Sequence, residues 1–246
     1  LRTLMLGQNP ETVCFTGPPA HEHVHAWAGG SGTGPETLDH NRYLLNAPEP
    51  AILDAGAVDL AADYLMAGHS LGEHKILTPH AGELERFLRR IHEHSPQRWE
   101  EMLDGALVPS REDINAEPFR WVRAACELSG ATVMLKGSTT LIAAPVGATY
   151  SVHGATGWLA TAGSGDTLTG ILGALLAQYM AVAQERHEQV EGCTYASIAA
   201  LAVYLHNRAA LASLEGRKGP VPPSRVAAYL PQAIAGLLDE KAVLDD

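Results

Sequence analysis

The sequence predicts an α/β fold with a mostly parallel central sheet that is flanked by helices on both faces. Short apolar runs alternate with longer amphipathic runs along the chain, which is the pattern of βα units. Polar residues directly follow the clearest apolar runs, as expected where buried strands end at a ligand-binding edge. The chain has 246 residues, of which 46% are hydrophobic, so we interpret residues 1–246 as a single domain.

Three short apolar runs are the candidate strands. They are Ala51–Leu53, Lys75–Leu77 and Thr132–Leu135. Asp54 follows the first run, Thr78–His80 follows the second, and Lys136 with Gly137 follows the third. In open α/β sheets ligands bind beyond the carboxyl ends of the strands. We therefore expect these polar residues to converge on one edge of the sheet.

Four longer segments have the apolar periodicity of helices that pack on a sheet. They are Val58–Met66, Leu84–Ile91, Phe119–Leu128 and Ala196–Leu211. Residues 92–118 are polar and charged, and Ser95–Pro96 suits the start of a short helix. We predict that this segment is a polar surface insertion or lid. The last residues, beyond a loop at 216–223, are expected to form a helix.

The segment Gly163–Asp166 precedes an apolar run of helical length and has the features of an anion-binding helix start. Gly163 and Gly165 allow a ligand to approach the main chain closely. The unpaired amides of the first turn, from Gly163, Ser164 and Gly165, together with the helix dipole, stabilise a phosphoryl group. Asp166 is either an N-cap, which the motif alone favours, or a general base that deprotonates an attacking hydroxyl.

Other polar segments also have two interpretations. Residues Lys136–Thr140 suit an ordinary hairpin turn or a nucleotide-binding turn at a strand end. Residues Thr78–Glu83 suit a strand-to-helix connection, although His80 at the strand end points to a site. The alternating histidines, His21, His23 and His25, would suit a transition metal on one face of a strand, but no carboxylate or cysteine partner is evident. A solvated segment is the favoured interpretation there.

Composition excludes several classes of protein. A formal net charge of −11 argues against a nucleic-acid partner, which requires a basic surface. The cysteines, Cys14, Cys126 and Cys193, lie far apart, so neither a disulfide framework nor a cysteine zinc site is indicated. No apolar run approaches the roughly 20 residues of a membrane span, and no signal peptide opens the chain. These observations predict a cytoplasmic protein without a membrane partner.

Taken in order, four segments resemble the ADP/ATP-dependent NAD(P)H-hydrate dehydratases, a branch of the ribokinase-like superfamily. The segments are Ile76–Glu83, Val133–Thr140, Ala160–Asp166 and Ala202–His206. Residues Ala28–Gly34 resemble the family's G-P-G-L-G segment with Ser31 in place of Pro, and Leu53–Ala57 resemble its D-A-D-A segment with Gly56 in place of the second Asp. The Gly-Ser-Gly-Asp motif marks the superfamily, and the Thr-Pro-His-x-Gly-Glu motif upstream of it marks this branch.

The resemblance implies a ribokinase-like fold and a repair reaction in which hydrated NADH or NADPH is phosphorylated at the ring hydroxyl and then loses phosphate. It implies ADP or ATP as co-substrate, Mg²⁺ between the phosphates with ligands that the sequence does not identify, and a homo-oligomer, a tetramer by family resemblance. Asp166 is the implied catalytic base. The implied nucleotide-binding residues are Lys136, Gly137, Ser138, Thr139, Thr140 and Gly165, and the implied substrate-binding residues are Gly32, His80 and Asp166.

Two features depart from the family pattern. Family members begin with a strand and a glycine-rich segment that contacts the dinucleotide, and we expect this segment to be missing before Leu1. Ala81 stands where the family has Pro. Two alternatives therefore stay open: a ribokinase-like kinase of a vitamin precursor or sugar that uses the same Asp166 chemistry, and a nucleotide-binding homologue without turnover.

Overall fold

A six-stranded sheet forms the centre of the protein. The computed structural model describes residues 2–15, 17–32, 34 and 37–244. The strands are β1 Trp27–Gly29, β2 Ala51–Leu53, β3 Lys75–Leu77, β4 Thr132–Leu135, β5 Thr140–Ala143 and β6 Thr149–Val152. They lie in the sheet in chain order. Strands β1 to β4 are parallel and β4 to β6 are antiparallel, so the carboxyl ends of the first four strands share one edge.

Ten α-helices are present in the part of the chain that the structure describes. They are α1 Arg2–Gln8, α2 Leu38–Asn46, α3 Gly56–Met66, α4 Ala81–His94, α5 Pro96–Leu103, α6 Arg111–Ala116, α7 Pro118–Ser129, α8 Ser164–Arg186, α9 Gly192–Ser213 and α10 Pro223–Leu244. Successive right-handed crossovers between neighbouring parallel strands place their helices on a single face. Helices α2 to α7 accordingly share one core with that face, and α8 and α9 cover the other.

The main elements of the sequence prediction are confirmed. The three predicted strands coincide with β2, β3 and β4, and the four predicted helices lie within α3, α4, α7 and α9. Alternate residues of the buried strands pack on opposite faces, since Leu53 and Leu77 belong to one core and Ile52 and Ile76 to the other. The strands thereby hold their carboxyl ends between two packed helical layers.

Residues 92–118 differ from the predicted polar surface insertion. The segment contains α5 and α6, with Ser95 at the N-cap of α5 as expected. Trp99 and Ile114 are fully buried in the core beneath α4 and α7. The charged residues of the segment cover the outer faces of these short helices, while single apolar residues anchor the inner faces. The segment therefore closes the core on this face of the sheet.

Helix α8 is long and apolar. Its 23 residues have a mean hydropathy of 1.2 in the most apolar window, so length and composition alone would allow a membrane span. This helix therefore differs from the sequence prediction, in which no apolar run was long enough to span a membrane. In the structure Leu168, Ile171 and Leu172 of this helix pack in the core against the sheet and α9. Only 28% of the apolar window is buried, so packing in the core accounts for part of the apolar character of α8.

Lys75 is a buried cation at the start of β3. Only 2% of the residue is exposed, and its Nζ donates hydrogen bonds to the carbonyl oxygens of Ala47 and Glu49. Burial lowers the pKa of this ammonium to about 8, although the Glu49 carboxylate opposes the shift. The folded protein therefore releases the Lys75 proton more readily than the unfolded chain, in which the pKa has its ordinary value of 10.5.

We expect the free energy of unfolding of the wild type, relative to Lys75→Met, to rise as the pH increases from about 8 to 10.5. In this window the unfolded chain binds more protons at Lys75 than the folded protein does, and each pH unit adds at most about 1.4 kcal/mol. Urea denaturation of both proteins at several pH values measures the difference. A constant or falling difference would contradict the burial of a titrating ammonium.

Candidate active site

Asp54 lies at the carboxyl end of β2 and is the centre of a polar network. Its side chain is almost fully buried and accepts hydrogen bonds from Lys136 Nζ at 2.6 Å and Thr78 Oγ1 at 2.7 Å. Thr169 Oγ1, from α8, donates to the other carboxylate oxygen at 3.3 Å. Burial alone raises the pKa of the Asp54 carboxyl, but the Lys136 ammonium and the hydrogen bonds hold this pKa below its usual value. The network therefore links three strand ends and α8 through one ionised carboxylate.

The backbone beside Asp54 is closely packed. Gly30 follows β1 with φ +117°, and a Cβ at this position would overlap the Asp54 carbonyl oxygen. Only glycine fits here. Ala55, at the N-cap of α3, has φ +45°, a strained conformation for a residue with a side chain. The backbone at Gly30 and at Ala55 therefore has the conformation that places the Asp54 carboxylate at the sheet edge.

Lys136 carries the positive charge of this edge. It follows β4 and opens a tight turn into β5, so the hairpin interpretation of Lys136–Thr140 is confirmed. Besides its ion pair with Asp54, its Nζ lies 3.9 Å from a Glu83 carboxylate oxygen. The same Nζ is 3.7 Å from the position that a Cβ on Gly165 would occupy. The ammonium thus stands directly beside the start of α8.

The start of α8 presents free amides and a carboxylate. Gly163 is the N-cap, in the left-handed conformation with φ +86°, and the helix begins at Ser164. Asp166 is therefore in the first turn, so the N-cap interpretation of Asp166 is wrong. Its carboxylate is exposed and makes no hydrogen bond or ion pair with the residues that the structure describes. The Ser164 amide donates to the Thr161 carbonyl oxygen at 3.2 Å, so it is not one of the free amides that the sequence predicted. A free carboxylate next to the remaining unpaired amides of the first turn suits general-base chemistry on a bound phosphate.

A cleft of about 620 Å³ joins the hairpin turn to the start of α8. Its lining residues come from the β4–β5 turn, the segment before α8, α8 itself and α9. They are His80, Lys136, Gly137, Ser138, Thr140, Ala155, Thr156, Gly157, Leu159, Ala160, Ser164, Gly165, Leu168, Val203, His206 and Asn207. The size is that of a cleft for a small organic ligand. The cleft combines an anion-binding end with a mostly apolar wall.

His80 lies between β3 and α4 and has a structural role that the sequence did not show. Its Nδ1 accepts hydrogen bonds from the amides of Gly82 and Glu83, and the Glu83 carboxylate accepts one from the His80 amide. This reciprocal pair is a capping box at the start of α4. Because Nδ1 acts as an acceptor, Nε2 carries the proton of the neutral ring. The exposed side of the ring still lines the cleft.

Comparison with protein families identifies the chain. The family model described as NAD(P)H-hydrate dehydratase matches residues 3–232. The chain belongs to this family. A bifunctional NAD(P)H-hydrate repair enzyme of Mycobacterium leprae is 30% identical over 240 residues, which are 96% of this chain and 43% of that protein. An ADP-dependent (S)-NAD(P)H-hydrate dehydratase of Neisseria meningitidis is 34% identical over 163 residues, 64% of this chain and 49% of that protein.

Solved structures confirm the ribokinase-like α/β fold. The ADP/ATP-dependent NAD(P)H-hydrate dehydratase of Bacillus subtilis, co-crystallised with ATP and Mg²⁺, matches with a TM-score of 0.70 at 23% identity. The match covers 95% of this chain and 75% of that chain. A ribokinase-like protein of Enterococcus faecalis matches with a TM-score of 0.61 at 22% identity, over 86% of this chain and 63% of that one. The chain spans less than half the length of the curated relatives named above.

The structure brings together most of the residues that the sequence and the resemblance assigned to the site. The cleft is lined by His80, Lys136, Gly137, Ser138, Thr140, Ser164 and Gly165. Gly163 and Asp166 flank the latter pair at the start of α8. Thr139 belongs to the same turn but does not line the cleft, and Gly32 is an exposed residue after β1 that does not line it either. Thr33, in the family's glycine segment, lies outside the described residues.

The structure also shows where the histidines of two other sequence segments lie. His23 and His25 lie in an irregular segment before β1 with ring centroids 5.7 Å apart. Among the described residues there is no group of three side chains suited to hold a metal ion. His206 lines the cleft from α9, although the sequence indicated it only as part of a family-like string. Its position depends on how α8 and α9 pack, which no local pattern reports.

Proposed function

We propose that this chain dehydrates hydrated NADH and NADPH in a nucleotide-dependent reaction that restores the intact dinucleotide. The free Asp166 carboxylate beside the Gly165 amide and the Lys136 ammonium is the observation that carries the proposal. The family and the activities named for its relatives support the substrate and the use of ADP or ATP. The arrangement is suited to transfer of a phosphoryl group to a hydroxyl.

In the proposed reaction Asp166 accepts the proton of the substrate's ring hydroxyl while that oxygen attacks the terminal phosphorus of the nucleotide. The bond from this phosphorus to the nucleotide's leaving oxygen breaks, and ADP or AMP departs. The ring nitrogen's lone pair then expels phosphate, and the adjacent ring carbon loses a proton as the double bond forms. The Gly165 amide, at the start of α8, stabilises the charge on the transferred group. Phosphorylation thus replaces hydroxide, a poor leaving group, with phosphate.

The charges of the site indicate how Mg²⁺ participates. Asp54, Glu83 and Asp166 are carboxylates at this edge, and Lys136 is their cationic neighbour. The excess of negative charge would repel a bare polyphosphate. Because the described residues provide no group of three metal ligands, we expect Mg²⁺ to enter on the nucleotide phosphates, where it usually keeps several waters. No protein ligand for the ion is assigned.

The direct test mixes the protein with chemically hydrated NADH, Mg²⁺ and either ADP or ATP. The near-ultraviolet absorbance of NADH should return, phosphate should be released in equal amount, and both should require the nucleotide. Nucleotide consumption that leaves a stable phosphorylated alcohol from another substrate would favour the kinase alternative. Nucleotide binding without consumption would favour a non-catalytic homologue.

Nucleotide binding itself is expected to stabilise the fold. The small residues of the β4–β5 turn and the amides at Gly165 form a preformed anion site, so ADP and ATP should bind the native state alone. Ligand at about 100 times its dissociation constant adds about 2.7 kcal/mol to the free energy of unfolding. Thermal unfolding across a millimolar nucleotide titration measures this effect. An unchanged melting temperature would argue against a nucleotide-dependent enzyme.

Substitutions at His80 separate its capping role from substrate positioning. His80→Ala removes the N-cap acceptor and should cost about 1 kcal/mol of stability. Asparagine is a good N-cap, so His80→Asn should keep the stability but lose the imidazole ring, which lines the cleft. If His80 positions the hydrated dinucleotide, both variants raise the KM for that substrate with little change in kcat. Wild-type kinetics in His80→Asn would show that His80 acts only as the N-cap of α4.

A further inference from the structure

His206 lies on α9 and contacts the first peptide unit of α8. It is 5% exposed and lines the cleft together with Ser164 and Gly165. Burial lowers the pKa of the His206 imidazole, and hydrogen bonds with the Ser164 backbone and the Asn207 side chain oppose this effect. A hydrogen bond that favours the protonated ring runs from a ring N–H to an acceptor, which in the backbone is a carbonyl oxygen. The imidazole therefore donates to the Ser164 carbonyl.

The Ser164 carbonyl and the Gly165 amide belong to the same peptide unit. This unit is planar and trans, so its C=O and N–H point in opposite directions and turn together. The Gly165 amide makes no hydrogen bond with the residues that the structure describes, and the Lys136 ammonium stands beside it. A ring that holds the carbonyl therefore fixes the direction of an amide that is free to bind a phosphoryl oxygen.

The start of α8 has few restraints of its own. Gly163 and Gly165 lack the side chains that limit backbone rotation, and the first turn of a helix leaves its amides without intrahelical partners. Helix α9, by contrast, has 22 residues, and Leu205 and Ala209 beside His206 are buried in the core. The imidazole thus ties the glycine-rich turn to a long, well-packed helix.

The ring acts on this peptide unit and not as a charge on the phosphate. Because burial lowers its pKa, the His206 imidazole is uncharged near pH 7 and has a single N–H to donate. Its Nε2 is buried without a hydrogen-bond partner among the described residues. An apolar side chain would avoid the cost of this unpaired nitrogen, and such groups are rare in native proteins. The hydrogen bond to Ser164 is what an apolar residue could not supply.

We propose that His206 is a positioning residue that aims the Gly165 amide at the transferred phosphoryl group by holding the Ser164 carbonyl. This inference rests on the proposed function in taking the reaction to begin with phosphoryl transfer. The effect belongs to the transition state, where a preorganised amide stabilises charge on the phosphoryl oxygens. Binding of the nucleotide before reaction depends more on the Lys136 charge, which does not change with the direction of one amide.

A pair of variants of similar shape tests this role in the turnover of hydrated NADH with ATP and Mg²⁺. His206→Met has no donor, and we expect its kcat to be about 10-fold lower, with the KM for the dinucleotide and the Kd for ATP within a few-fold of the wild type. His206→Gln has an amide that can donate to the Ser164 carbonyl and should recover most of the kcat. Leu205→Ala removes a buried side chain that does not line the cleft, so it should lower stability while keeping kcat.

A second measurement needs no turnover. Tripolyphosphate with Mg²⁺ should move the Gly165 amide proton resonance of the wild type downfield, as expected for donation to a phosphate oxygen, and should move it less in His206→Met. Equal shifts in the two proteins, or wild-type kcat in His206→Met, would overturn the inference and leave the proposed function intact. If His206→Met does not fold, His206→Phe takes its place, since it keeps a flat ring without an N–H. A wild type that does not turn over hydrated NADH would overturn the proposed function, and the resonance shifts would still test the role of His206.

Discussion

Replacing Asp166 with asparagine is expected to lower kcat by at least about 100-fold while nucleotide affinity stays within a few-fold of the wild type. The reason lies in the first turn of α8, where the carboxylate is exposed and has no partner among the described residues. Asparagine keeps the shape of the side chain but cannot accept the substrate proton. Steady-state turnover of hydrated NADH and calorimetric binding of ATP measure the two quantities.

A structural explanation for the lower kcat of Asp166→Asn has to be excluded, because an acidic residue in the first turn also stabilises its helix through the helix dipole. Asp39 in the first turn of α2 is the control: its side chain is 92% exposed and lies outside the cleft, and its ion pair with Arg42 is exposed, so that pair contributes little to stability. Asp39→Asn and Asp166→Asn should lose similar, small amounts of stability, typically below 1 kcal/mol. Only Asp166→Asn should lose turnover. Near-normal turnover in Asp166→Asn would show that Asp166 is not the base.

The parts of the site that local sequence could predict are those set by strand ends and by glycine. The apolar runs that form β2 and β4 end at Asp54 and Lys136, and parallel strands must bring such residues to one edge. The two glycines before Asp166 likewise predicted a helix start. The sequence pattern did not identify the first residue of α8. Asp166 suits an N-cap and a first-turn position equally well by composition, and the left-handed Gly163 decides between them.

The parts that sequence did not predict depend on contacts between distant segments. The Asp54–Lys136 ion pair joins residues that are 82 positions apart. The burial of Trp99 and Ile114 was hidden by the charged residues around them, because average polarity does not reveal a single inward-facing side chain. His206 became a candidate only when the packing of α9 showed its buried, unpaired nitrogen. Tertiary packing, and not local propensity, sets each of these features.

The second large effect is expected at Lys136. The Lys136 side chain is 19% exposed and pairs with an Asp54 side chain that is 4% exposed. In Lys136→Met the Asp54 carboxylate stays buried without its cation, and breaking one side of a buried pair typically costs about 3 kcal/mol. The same substitution removes the ammonium beside Gly165, so the dissociation constant for ATP should rise at least about 10-fold. Urea denaturation and calorimetric titration measure the two losses.

A double variant separates the two roles of Lys136. In Lys136→Met combined with Asp54→Asn the buried Asp54 carboxylate is gone, and the amide can still accept the hydrogen bond from Thr78. Glu83 loses the ammonium at 3.9 Å in both variants but keeps its hydrogen bond from the His80 amide. Most of the lost stability should therefore return, whereas the affinity for ATP should stay low because the ammonium is still absent. If ATP affinity returned together with stability, the ammonium would be needed only to neutralise Asp54. If Lys136→Met alone were as stable as the wild type, the ion pair would contribute nothing to the fold, and the network at the strand ends would be held by the threonine hydroxyls.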